Sequence, residues 1–293
     1  MARTEFRGIY VPLVTPFRHG EVDAEGLRRL VDYLIVGGVT GLVPTGTTGE
    51  CSTLTHVEHQ RVIELTVEYA AGRVPVIAGA GSNDTAETMR MVAGAESVGA
   101  DGLLLVTPYY NRPNQAGILH HFRTVADHTK LPIILYNIPK RTGVNIEAAT
   151  MIELSKVPNI VGLKDCCGDL GQTMQIIAET EEFSVLTGDD YLLFVYLCLG
   201  GTGGIGTSYH IAPAEFVRLV DLVETGQLAE ARALHYRLVG LTHAMFCEPN
   251  PAPVKAALNM VGIEVGDPRS PILPASEPCR QRLRAELVKL GLI

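Results

Sequence analysis

No C-x-x-C pair, no H-x-H or H-E-x-x-H pattern and no excess of basic residues occurs in this chain of 293 residues. Each absence removes a class of function. The six cysteines, at 51, 166, 167, 198, 247 and 279, lack zinc-site spacing. They read as small buried hydrophobes in a reducing compartment. The nine histidines are scattered, so no metal site is expected. A formal charge of −8 argues against nucleic acid or an anionic membrane as partner. The start, "MARTEFRGIY", has no apolar h-region. The longest apolar run, "YLLFVYLCLG" at 191–200, is about half the length of a bilayer-spanning helix. With no Gly/Ser linker and no low-complexity segment, the expectation is a soluble, cytoplasmic protein with a large core.

What is present is a rhythm of about 25–30 residues: an apolar β-branched run, a Gly/Pro/Thr loop, then an amphipathic stretch. The runs are "GIYVPLVTP" (8–16), "VTGLVPTG" (39–46), "VPVIAGAG" (74–81) and "DGLLLVTP" (101–108). They continue with "LPIILYN" (131–137), "NIVGLK" (159–164), "FSVLTGDD" (183–190) and "GGTGGIGT" (200–207). Continuous apolar strands alternating with helices predict a parallel sheet covered by helices. Eight units in about 225 residues favour an α/β fold of the closed (β/α)8 TIM-barrel kind over an open sheet. From about 211 onward only helical patterns follow. The organisation expected is a barrel over 1–224, carrying the active site, and a C-terminal helical extension over 225–293.

In such a barrel, chemistry gathers at the carboxyl ends of the strands. Thr15, Thr47, Thr48, Tyr109, Tyr110, Tyr136, Asn137, Arg141, Lys164, Asp189 and Ile205 stand there. No pair of carboxylates dominates, which argues against glycoside hydrolysis. Lys164 follows Ile160, Val161 and Leu163 directly, and lysine is among the residues least often buried. It either snorkels, pairs with Asp165 or Asp169, or is a desolvated amine able to attack carbonyl carbon. "GTTGE" (46–50) can turn backbone N–H groups and hydroxyls toward an anion. In "YNIPKRTG" (136–143) a phenol can move a proton, and a guanidinium can grip a carboxylate. "PYYNRP" (108–113) puts two rings on a loop, for packing at an interface or for catalysis. "GTGGIG" (201–206) spells a dinucleotide fingerprint but ends the eighth run rather than the first, so its glycines are expected to permit close backbone approach.

Taken together, "GTTGE", "PYYNRP", "YNIPKRTG", "GLKD" and "EPNPAPVK" (248–255) resemble, in order and spacing, the dihydrodipicolinate synthase and N-acetylneuraminate lyase family. "GTTGE" and the arginine of "YNIPKRTG" place the likeness on the synthase side. The resemblance implies that Lys164 forms a Schiff base with pyruvate and that Tyr136 moves protons. It implies that Thr47 and Tyr110 complete a relay, Tyr110 reaching in from a neighbouring subunit. Thr48 would bind the pyruvate carboxylate and Arg141 the carboxylate of an aldehyde substrate, L-aspartate-4-semialdehyde. Ile205 would line the site through its backbone, and Gly188 would belong to the substrate-binding set. His56, His59, Asn83, Glu87 and Tyr109 match a lysine feedback site. No cofactor or metal is implied beyond the covalent imine, and the family expectation is a homotetramer. A sister pyruvate-dependent aldolase or dehydratase, acting on a 2-oxo sugar acid or hydroxy-oxo acid, is the alternative. Three segments depart from the usual pattern: "DCCGD" for "EATGD" after the lysine, "GGIGTSYH" for "GVISVTAN", and Cys51–Ser52 in place of Ser–Ala.

Overall fold

The computed structural model describes residues 4–293. Each of the eight apolar runs supplies one short strand: β1 (Gly8–Val11), β2 (Gly41–Leu42), β3 (Ile77–Gly79) and β4 (Gly102–Val106), then β5 (Ile133–Asn137), β6 (Ile160–Asp165), β7 (Ser184–Thr187) and β8 (Gly203–Ile205). They pair in parallel in the order β2-β1-β8-β7-β6-β5-β4-β3. A parallel bridge from Leu42 to Val76, the residue before β3, closes the ring. The fold is a (β/α)8 barrel.

Helices cover it: α1 (Ala24–Val36), α2 (His56–Ala70), α3 (Thr85–Ser97), α4 (Gln115–Ala126), α5 (Pro139–Thr142) and α6 (Ala148–Leu154). After β6 come α7 (Leu170–Glu179), α8 (Leu193–Cys198) and α9 (Pro213–Glu224), then α10 (Leu228–Ala244), α11 (Ala252–Met260) and α12 (Glu277–Leu290). Their starts are chemically marked. Asp23, Thr55, Asp84, Asn114 and Asp169 each accept a first-turn N–H, satisfying groups the helix itself leaves orphaned. None of the described helices is long and apolar enough to cross a membrane.

Strand alternation sorts side chains into two layers. Ile133 and Leu135 of β5 join the apolar layer beneath the helices, whereas Ile134 and Tyr136 fill the barrel interior with Val43, Ile77 and Leu104. The extension is not a separate body: Leu234, Leu238, Leu258, Leu283 and Leu287 share one core with Leu30 and Leu34 of α1 and Phe216 of α9. One element was not legible in the sequence, a hairpin of Phe17–Arg18 with Glu21–Val22. Its turn, His19–Gly20, has both φ values positive, at 53° and 84°. That geometry suits a two-residue hairpin, but strands this short leave no periodicity to read.

Candidate active site

β6 bulges against β5: Ile133 faces Ile160, yet the next residue, Ile134, faces Gly162. From there, alternation turns Leu163 and Asp165 outward and Lys164 and Cys166 inward. Ile160 and Leu163, which precede the amine in sequence, therefore do not flank it: both lie in the layer under the helices. Asp165 likewise faces outward, where its carboxylate accepts from Thr173 Oγ1 at 2.7 Å and Tyr196 at 2.9 Å. Asp169 is occupied as the α7 cap. Neither pairs with the lysine.

Lys164 is instead 5% exposed and in register with Tyr136, its Nζ 4.4 Å from the centre of that ring. Among the described residues no carboxylate lies within 4.0 Å of it. Burial pulls its pKa down; Cys166, Asp190 and Asp189 oppose this, while Arg141 adds to it. Burial raises the pKa of the Tyr136 phenol well above the ordinary tyrosine value, with the neighbouring Cys166 adding to the rise and Thr47 and Arg141 opposing it. It therefore stays protonated at neutral pH. Gly188 makes the space: a Cβ there would stand 2.3 Å from Cys166 Sγ and 2.7 Å from Lys164 Cε.

The "GTTGE" loop is fixed from both ends of the chain. Thr15 Oγ1 donates to Gly49 O at 2.6 Å, and Asn250 Nδ2 donates to Thr48 Oγ1 at 2.9 Å. Thr207 Oγ1 lies 3.3 Å from the same hydroxyl. The carboxylate of Glu50 meets Lys255 Nζ at 2.6 Å, with both side chains buried, and accepts from Arg269 N at 2.8 Å. Lys255 Nζ and Arg269 Cζ also lie 4.3 and 4.2 Å from the Phe17 ring. At the N-terminus of α2, Thr55 and Glu58 form a reciprocal capping box. Asn250 escaped the reading of the sequence; "EPNPAPVK" marked the segment but gave the asparagine no role. Its side chain is 9% exposed, and its Oδ1 has no hydrogen-bond partner.

The remaining candidates divide by position. Asn137 bonds Asn145 at 2.8 Å and the Ile146 N–H at 3.0 Å, which holds the loop that carries Arg141 rather than the substrate space. Ile205 is buried inside the barrel, opposite Tyr10 of β1. The glycines of "GTGGIG" serve close approach: a Cβ on Gly203 would stand 2.0 Å from Gly8 O. Thr47 and Arg141 share a cavity of about 300 Å³ with Cys51, His56, Glu87 and Tyr109. Within it, His56 Nε2 is 3.3 Å from Glu87 Oε1, and Ser82 Oγ donates to the other oxygen of that carboxylate. His59 also lines it, and burial lowers the pKa of that imidazole to about 4. Asn83 is not one of its walls; its carbonyl accepts from Asn111. Tyr110 joins no group of its own chain's site. It is 89% exposed, on backbone at φ 70°.

Comparison with known proteins follows the same lines. The dihydrodipicolinate synthetase family matches residues 5–290. The chain belongs to that family. A 4-hydroxy-tetrahydrodipicolinate synthase of Syntrophus aciditrophicus is 47% identical, over 98% of this chain and 99% of the relative. The crystal structure of dihydrodipicolinate synthase from Aquifex aeolicus superposes with a TM-score of 0.96 at 42% identity, covering 98% of this chain and 99% of that one. The synthase of Cyanidioschyzon merolae, solved with lysine bound, gives 0.97 at 39% identity, covering 99% and 100%. As a member of this family the protein is an enzyme, an aldolase-type lyase.

The three departures now have places. Of the "DCCGD" cysteines, Cys166 faces the barrel interior with Tyr136, while Cys167 turns away and takes its N–H to Asp165 at 3.0 Å. In "GGIGTSYH", the Thr207 and Ser208 N–H groups are held by Asp190 at 3.0 and 2.5 Å, and His210 Nε2 accepts from Val14 N at 3.2 Å. Cys51 stands in the cavity wall beside Thr47.

Proposed function

We propose that this enzyme condenses pyruvate with L-aspartate-4-semialdehyde to give 4-hydroxy-tetrahydrodipicolinate, on the route to diaminopimelate and lysine, through an imine on Lys164. The observation that carries the chemistry is a buried lysine with no carboxylate in ion-pair range, seated against a buried, protonated phenol. A desolvated amine is held toward its neutral, nucleophilic form. Attack on the pyruvate carbonyl, followed by loss of water, gives the imine, which withdraws electrons from the neighbouring methyl carbon. Loss of a methyl proton then leaves an enamine that attacks the aldehyde. Tyr136, with Thr47, would pass the protons that these steps release and require.

Thr48 would take the pyruvate carboxylate. Its oxygen accepts from Asn250, so its own proton can go to that carboxylate in place of Thr207 Oγ1. Arg141, on the exposed rim, would take the carboxylate of the aldehyde. A substrate with a second carboxylate favours this reaction over cleavage of a sugar acid. Tyr110 would complete the relay in a neighbouring subunit, which makes a tetramer the working form, in the cytoplasm. The cavity of His56, His59, Glu87 and Tyr109 would bind lysine, with Asn83 next in sequence to the wall residue Ser82; the Cyanidioschyzon merolae relative, solved with lysine bound, supports that reading. Turnover with pyruvate and aspartate semialdehyde, coupled to reduction of the product, is expected to exceed turnover of any deoxy-oxo acid by orders of magnitude. The reverse ranking would transfer the assignment to a sister activity.

A further inference from the structure

Cys247 and Cys279 lie 32 positions apart, but their sulfurs are 2.9 Å apart, in hydrogen-bond contact. We propose that they form a dithiol site which a two-electron thiol oxidant closes into an intramolecular disulfide. The proposal is independent of the reaction catalysed. Its geometry is pre-arranged. Cys247 ends the turn after α10 and Cys279 sits in the first turn of α12. Between them, the Glu248 carboxylate accepts from Ser276 N at 3.0 Å and from Ser276 Oγ, and that same hydroxyl accepts from Cys279 N at 3.4 Å. The two backbones are thus already tied together, and the sulfurs need to approach by only about 1 Å to bond.

The other cysteines do not offer such a pair. Cys166 faces the barrel interior and Cys167 the outside, while Cys51 and Cys198 are exposed elsewhere. The roles within the pair follow from exposure. Cys247 is half-buried and reachable; Cys279 is buried, and burial, Cys247 and Glu248 push its thiol up to about 12. With diamide as the oxidant, the Cys247 sulfur adds to the N=N bond, and the Cys279 sulfur then displaces nitrogen from it. Two S–H bonds are lost and one S–S bond forms. Both protons and both electrons end on the hydrazine. The closed form would fasten the segment leading to Asn250 onto α12.

The test treats the full-length protein with stoichiometric diamide, alkylates the remaining thiols after denaturation, and maps the peptides. The expected result is one cross-linked species joining Cys247 to Cys279, lighter by two hydrogens and reversed by dithiothreitol. Its Tm should lie several degrees above that of the reduced protein, since the bond restricts the unfolded chain. Cys247→Ser, at the more exposed position, should abolish both effects even if Cys279→Ser fails to fold. A disulfide mapped to any other pair would overturn the proposal. So would both sulfurs remaining alkylatable after Cys51 or Cys198 has been oxidised.

Discussion

At the residue scale, the chemistry rests on where one strand points its side chains. The sequence marks Lys164 because a charged residue follows an apolar run, and that much was legible. Its surroundings were not, because the bulge at β6 decides which neighbours share its face. The amine is set beside Tyr136, Cys166 and Gly188, with Leu163 on the opposite side. Asn250 was equally hidden, since nothing local ties it to Thr48, 202 positions away. Arg141 stands on the exposed rim, and among the described residues its guanidinium makes no hydrogen bond or ion pair. Arg141→Ala is therefore expected to leave the Tm and the pyruvate KM unchanged. The aldehyde KM should rise about 10- to 100-fold, the worth of one charge-assisted carboxylate contact. Steady-state kinetics with each substrate varied in turn would check this; an equal rise in the pyruvate KM would place Arg141 elsewhere in the mechanism.

Among elements, the "GTTGE" loop shows how the helical extension serves the barrel. Thr47 of the loop lines the cavity, but Asn250, Lys255 and Arg269 of the extension hold the loop in place. The turn chemistry of that loop was readable in the sequence. The clamp was not, because an ion pair between Glu50 and Lys255 leaves no trace in either local pattern. Lys255→Met strands a buried carboxylate without its cation. Such a change is expected to cost about 3–5 kcal/mol, read as a lower denaturant midpoint. The double variant Glu50→Gln with Lys255→Met should recover much of the loss. If the double variant is no more stable than the single one, the pair is not what holds the loop.

For the whole molecule, eight apolar runs were enough to read the barrel, since parallel strands buried on both faces announce themselves as continuous hydrophobic segments. Burial of three imidazoles gives the fold a pH signature. His59, His121 and His210 each have a pKa lowered to about 4, with burial the leading cause. His210 is also fixed as one tautomer, Nδ1 toward Thr207 O and Nε2 accepting from Val14 N. Unfolding restores the ordinary value of about 6.5, so between about 6.5 and 4 the unfolded chain binds more protons. This contribution to stability is complete above pH 6.5 and is lost as pH falls toward 4. Glu58, held at about 2 by Arg269, adds a loss at lower pH, below the ordinary carboxylate range. Thermal melts should show a Tm that declines steadily as pH falls below 6.5. A Tm that rises on acidification from pH 6.5 to 5 would contradict the neutral burial of these rings.

The three scales meet at the Lys164 nitrogen. The most direct measurement is borohydride reduction of the enzyme in the presence of pyruvate, followed by peptide mass mapping. The expected result is a single reduced pyruvate adduct on Lys164, absent from a folded Lys164→Ala variant whose turnover has fallen by at least about 10³-fold. An adduct on another lysine, or an unmodified and fully active enzyme, would contradict the account.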